Sequence, residues 1–217
     1  MKTLVQPFAI LCFFVGIETL RLDAAFGETL VRVFTKATFE KAIKVGDGKW
    51  SLDNKGNISV HSWSYGLPAL LIFGKEAEGG SLKATMKNHG YSRLTGQGIA
   101  LCVTKEIKED DGYHGSAAFY ARYHEGSVEL VDTIPYFKSK SEPKILASAK
   151  VEIAGDARYS LQLDVKEESK MVIQINDKQI LEYTAPFKLK GRYALLAANG
   201  DYIFEGVHGD NGATALK

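Results

Sequence analysis

The chain has only two cysteines, Cys12 and Cys102, in 217 residues. Cys12 falls in an amino-terminal segment laid out like a secretory signal peptide: Lys2 near the start, an apolar run from Pro7 to Ile17, then small residues at Ala25 and Gly27. The run is shorter than the roughly 20 apolar residues of a membrane-spanning helix. Cleavage after Gly27 is therefore expected, with residues 1–27 as leader and 28–217 as one domain. Cys12 follows Leu11 rather than a small residue, so lipoprotein processing is not expected. Cys102 is then the sole thiol, and an intrachain disulfide is excluded. An exported chain without disulfides points to a bacterial envelope, periplasmic or secreted. Cys102 sits in an apolar run and reads as an inert core residue.

Charge of one sign is lacking too. Lys and Arg number 27 against 26 Asp and Glu, for a net charge of +1. Loss of Lys2, Arg21, Glu18 and Asp23 with the leader leaves that balance unchanged. No basic cluster is present that could track phosphates, which excludes a nucleic-acid footprint.

Catalytic motifs are equally scarce. His61, His89, His114, His124 and His208 are scattered, and no pair has zinc-site spacing. There is no phosphate-cradling glycine loop, dinucleotide fingerprint or nucleophile elbow. Retaining glycosidases that carry acid and nucleophile on one strand use Glu-x-Asp-x-x-Glu, because alternate residues share a face about 5 Å apart. That pattern is absent. Glu106-x-x-Glu109-Asp110-Asp111 has a different spacing and reads as a solvated loop. Calcium is the one cofactor with candidate donors, at Asp47, Asp201 and Asp210-Asn211, although each of these is also ordinary turn chemistry.

What the chain has is alternation. Tyr159, Leu161, Leu163 and Val165 interleave with Ser160, Gln162, Asp164 and Lys166, the period-2 pattern of a strand with one buried face. Glu167–Lys170 turns the chain into Met171–Ile175, and Asn176-Asp177-Lys178 turns it into Gln179–Tyr183, since Asn and Asp tolerate the positive φ of tight hairpins. Tyr193–Ala197 follows. Asn199-Gly200-Asp201, the strongest hairpin signal, leads to Tyr202–Phe204. These five strands predict an antiparallel meander. Upstream, Ile58–Tyr65, Leu82–Met86, Ile99–Val103, Ala117–His124, Val128–Val131 and Ile145–Ile153 bring the count to roughly a dozen short strands without repeat or linker. Phe39–Ile43 is a helical turn or a lead into the first sheet. The fold expected is all-β, a two-sheet antiparallel jelly-roll sandwich.

The run Tyr-x-Leu-x-Leu-x-Val, a turn, Ile-x-Ile-Asn-Asp-Lys-x-Ile, then Gly-Arg-Tyr-Ala-Leu and Tyr-x-Phe resembles the closing half of a concanavalin-like or laminin-G-like jelly roll. Gln97–Leu101 and Ala117–Tyr123 extend the resemblance upstream. That superfamily includes lectins, carbohydrate-binding modules, family-16 glucanases and 3-keto-disaccharide hydrolases. The resemblance implies the fold and a carbohydrate-associated role, but not an activity. The keto-sugar families carry an Asn-Ser-Gly-Ile strand where this chain has Gly96-Gln97-Gly98-Ile99, and no catalytic set maps onto it.

Two strands carry aromatic and polar residues opposite an apolar face. His61, Trp63 and Tyr65 share the face away from Ile58 and Val60. Tyr120, Arg122 and His124 share the face away from Phe119, Ala121 and Tyr123. Sugars bind such surfaces by stacking C–H faces on rings while their hydroxyls take hydrogen bonds. The expectation is that all six residues line one concave face that binds a glycan, without catalysis. A loop covering Trp63 and Tyr65 is the bland alternative. A hydrolase of the same fold and a protein-binding adhesion module are the functional ones.

Overall fold

Alternation becomes fifteen strands in the computed structural model, which describes residues 30–63, 68–87, 96–103, 118–133 and 142–210. Tyr65, the leader, the Glu106–Asp111 run, His89, His114 and Asn211 lie outside the described residues. In chain order the elements begin with β1 (Val31–Arg32), α1 (Lys36–Glu40), β2 (Ile43–Val45), β3 (Lys49–Leu52) and β4 (Ile58–Ser62). Next come β5 (Ala69–Ala77), β6 (Gly80–Lys87), β7 (Gly96–Val103), β8 (Ala118–His124), β9 (Ser127–Asp132) and β10 (Lys144–Lys150). The last five are β11 (Arg158–Lys166), β12 (Lys170–Ile175), β13 (Lys178–Thr184), β14 (Gly191–Ala198) and β15 (Gly200–Gly209). The helical turn is α1, started by a capping box in which Thr38 N–H donates to Thr35 Oγ1 and Thr35 N–H to Thr38 Oγ1.

The strands form two antiparallel sheets, as expected of a jelly roll. One has eight strands, in the order β13-β12-β11-β6-β15-β4-β3, with β1 paired to β15. The other has seven, in the order β10-β9-β8-β7-β14-β5-β2. The core lies between them. Tyr159, Leu161, Leu163 and Val165 of β11 point into it as their alternation predicts, as do Ile58, Val60, Ile99, Leu101, Phe119, Leu195 and Phe204. The β12–β13 turn follows its chemistry, with Asn176 (φ 49°) and Asp177 (φ 64°) at positive φ, whereas Glu167 (φ 50°) and Glu168 (φ 59°) close β11–β12 in a conformation that residues of their type seldom adopt.

The five-strand meander is corrected to three. β11, β12 and β13 pair consecutively, but β14 crosses to the seven-stranded sheet between β7 and β5. β15 returns to the eight-stranded sheet between β6 and β4. Asn199-Gly200 is therefore an arch between sheets rather than a hairpin. The Tyr202 hydroxyl braces it, 2.8 Å from Ala198 O and 3.3 Å from Asn199 O. The same positive-φ residue (Asn199, φ 50°) serves either geometry, because a local turn signal carries no information on which sheet the next strand joins.

A second apolar cluster lies on the outer face of the seven-stranded sheet. Val45, Leu70, Ile72, Ala100, Cys102, Ala118, Tyr120, Val131, Ala194 and Leu196 are all buried there. The central strands of that sheet are thus buried on both faces, which explains the unbroken apolar run Ala69–Phe73 in β5.

Candidate functional site

At the end of the sandwich where β4 finishes, the outer face of the eight-stranded sheet carries an exposed aromatic. Ile58 and Val60 turn inward, so Ser59 and His61 turn outward, and Trp63 follows immediately with 60% of its surface exposed. Register places Asp201 of β15 and Lys49 of β3 directly beside His61. His61 Nδ1 and Asp201 Oδ1 stand 2.6 Å apart. A carboxylate only accepts, so Nδ1–H donates, and in the neutral ring Nε2 is left as an acceptor. The imidazole meets the Trp63 indole edge-on, with centroids 4.7 Å apart and planes at 83°. Asp201 thus fixes His61, and His61 braces Trp63. Ile203, half exposed, adds apolar surface one alternation along β15.

Tyr120, Arg122 and His124 lie elsewhere. They belong to β8 of the other sheet and point to its outer side, so the sandwich separates them from His61 and Trp63. The single concave face is corrected to two surfaces on opposite sides of the molecule. Alternation assigns side chains to one of two faces of a strand, but it does not say which sheet the strand enters. Tyr120 is 1% exposed, and burial raises its phenol pKa. It is a core residue of the outer cluster rather than a ligand-facing ring.

Beside Tyr120 is a compact polar group. Arg122 Nε and Nη2 donate to Glu129 Oε2 at 2.8 and 2.7 Å, and both residues are nearly buried. His124 Nδ1 is 3.9 Å from the same oxygen, too far for a hydrogen bond, and His124 Nε2 is buried with no hydrogen-bond partner among the described residues. A buried imidazole nitrogen with nothing to bond is costly unless a ligand or water supplies the missing contact.

Sequence reasoning missed Glu129 as a site residue and gave Asp201 only a turn or calcium role. Glu129 was findable. The two-residue turn Glu125-Gly126 sets His124 opposite Ser127, which carries Arg122 to Glu129. Asp201 was not, since its pairing follows from the arch. The calcium candidates stand apart. Asp47 accepts from Ser62 Oγ at 3.1 Å, Asp201 holds His61, and Asp210, at the far end of β15, accepts from the Ser81 N–H. Among the described residues no group of three or more His, Cys, Asp or Glu side chains is placed to hold a metal ion.

Neither a family model nor a curated protein matches the sequence. Solved structures do resemble its fold. A carbohydrate-binding module, CBM66, from Bacillus subtilis superposes with a TM-score of 0.59 at 12% identity, covering 78% of this chain and 95% of that one. The legume lectin-like domain from Entamoeba histolytica gives 0.59 at 11% identity, covering 84% and 96%. A Bacillus subtilis protein of unknown function with a galectin-like fold gives 0.57 at 13%, covering 84% and 94%. The fold is the concanavalin-like jelly roll. Likeness at these identities establishes the architecture, and any activity has to be argued from the site.

Proposed function

We propose that this chain is an exported, non-catalytic carbohydrate-binding module that binds a glycan across Trp63. The observation that carries the proposal is the Trp63 indole, largely open to water yet held in place by a fixed imidazole. An exposed indole presents a large apolar area to water, and a sugar's C–H face is the surface that covers it while keeping hydroxyls wet. His61 Nε2 offers an acceptor beside the ring, and Asp201 and Lys49, the cross-strand neighbours of His61, add a carboxylate and an ammonium for those hydroxyls. Lectin and carbohydrate-binding-module architectures among the similar folds support the reading, as does the secretory leader layout of residues 1–27.

A second location for the same function is favoured by His124 Nε2, which has no partner among the described residues, next to the Arg122–Glu129 pair. A glycan array followed by titration of the best hit against Trp63→Ala and His124→Ala decides between them. Trp63→Ala is expected to lower affinity at least tenfold at unchanged melting temperature. Retained affinity in Trp63→Ala with loss in His124→Ala would move the site to the seven-stranded sheet. Retention in both would sink the carbohydrate reading at these residues.

A further inference from the structure

A groove of about 600 Å³ opens between α1 and the turn that joins β3 to β4. That volume is within the roughly 300–1,000 Å³ of small-molecule sites. Phe34, Phe39 and Leu52 supply its apolar lining, and Arg32, Lys36 and Glu40 its charged rim. The Phe39 ring is edge-on to Phe34, with Lys44 Nζ 4.6 Å from its centroid.

The acidic group deepest in the turn is already used. Asp53 Oδ1 accepts from the Asn57 and Lys55 N–H groups, both at 2.8 Å, and Oδ2 accepts from Asn57 Nδ2 at 2.9 Å. These bonds, the Asn57 N–H foremost, hold its pKa below the ordinary carboxylate value. Arg32, by contrast, has no acidic partner among the described residues. Its side chain lies over Gly56, where an added Cβ would come 3.2 Å from Nη1 and 3.3 Å from Cδ. Gly56 (φ +80°) therefore both makes the turn and leaves the space in which the guanidinium rests. The lining carries two cations, Arg32 and Lys36, and two carboxylates, Glu40 and Asp53, and since the Asp53 oxygens are occupied by the amides of its own turn, Arg32 is left with its donors free for an incoming carboxylate beside an apolar wall.

The geometry points to this groove as a site for a small monocarboxylate with an apolar face, its carboxylate taken by Arg32 and its body laid on Phe39 and Leu52. Arg is suited to this because its planar fork of donors matches a carboxylate. Two ligand sources share that chemistry: a uronic acid, through the C–H face of its ring, and an aromatic acid. The site is independent of Trp63.

The test is an NMR titration of the folded chain with glucuronate, benzoate and neutral glucose, following the Gly56 amide and the Phe39 ring. One of the two acids is expected to give saturable shifts where glucose gives none. Saturation by glucuronate alone assigns an acidic sugar, and saturation by benzoate alone an aromatic acid. Arg32→Gln is expected to weaken binding about 10- to 100-fold, the range for losing a hydrogen bond to a charged group. Its melting temperature should not change, because the side chain is exposed. Trp63→Ala should leave this titration untouched, so the groove and the Trp63 platform stand or fall separately. No saturable shift with either acid, an equal response to glucose, or wild-type affinity in Arg32→Gln would overturn the assignment.

Discussion

The outer faces of the two sheets are built on opposite principles. On the eight-stranded sheet the outward residues are polar and tied across strands. Gln162 and Gln174 both donate to Asp164 at 2.7 Å, and Arg158 holds Glu205 at 2.9–3.0 Å. Lys87 holds Asp156 at 2.8 Å, and Lys83 pairs with Asp177. Among the described residues of that sheet, Trp63 and Ile203, with Val31 of β1, are the large apolar groups left to water, and Trp63 is the most exposed. On the seven-stranded sheet the outward residues of β5, β7, β8 and β14 form a buried apolar cluster, bordered by Arg192 beside Cys102 and by the polar group of Arg122, Glu129 and His124. An exposed Trp is therefore an exception on a solvated face, whereas a Tyr at the equivalent alternation of β8 is part of a second core.

The largest expected effect separates the faces directly. Tyr120→Ala removes a fully buried ring and should cost about 3–5 kcal/mol of stability, while Trp63→Ala, at an exposed position, should stay within about 0.5 kcal/mol. Urea unfolding of the two variants measures both, and equal losses would erase the distinction. Next in size is Glu129→Ala, which strands the nearly buried Arg122 guanidinium and should cost about 3 kcal/mol. Glu205→Ala, which breaks the solvated Arg158 pair, should be close to neutral by the same assay.

A smaller effect marks the covered face by its protons. Burial pushes the Cys102 thiol from an ordinary 9.0 up to about 12, and Tyr120 is raised by the same cause. Above pH 9 the unfolded chain binds fewer protons than the native one, so stability is complete below pH 9 and declines as pH rises toward 12. Melting temperatures across pH 8–11 should fall, and Cys102→Ala should make that slope shallower. Unchanged slopes in the variant would mean that Cys102 is reached by solvent.

The comparison also shows what a sequence can disclose. The inward residues of β11, the Asn176-Asp177 turn and the sandwich class are all local: each is set by alternation or by φ at one or two residues. His61 and Trp63 facing away from Ile58 and Val60 is of the same kind. Tyr120 looked equally outward, but whether an outward face is wet or covered depends on packing far away in sequence. The pairing of His61 with Asp201 depends on an arch that reads like a hairpin. Arg122 with Glu129 was within reach, because a two-residue turn fixes register by counting.

The arch at Asn199-Gly200 has a consequence for how the chain acquires its structure. It sends the last strand back into the middle of the eight-stranded sheet, where β15 pairs with β1, β4 and β6 at once. Until residues 200–209 arrive, β4 and β6 each present an unpaired ladder of N–H and C=O groups, open to any other strand that meets them. Closure of that sheet is accordingly the most non-local event in the molecule, of the kind that slows folding. A chain cut short by its last twenty residues would lose more than a tail: it would be left as a pair of half-sheets with sticky inner edges.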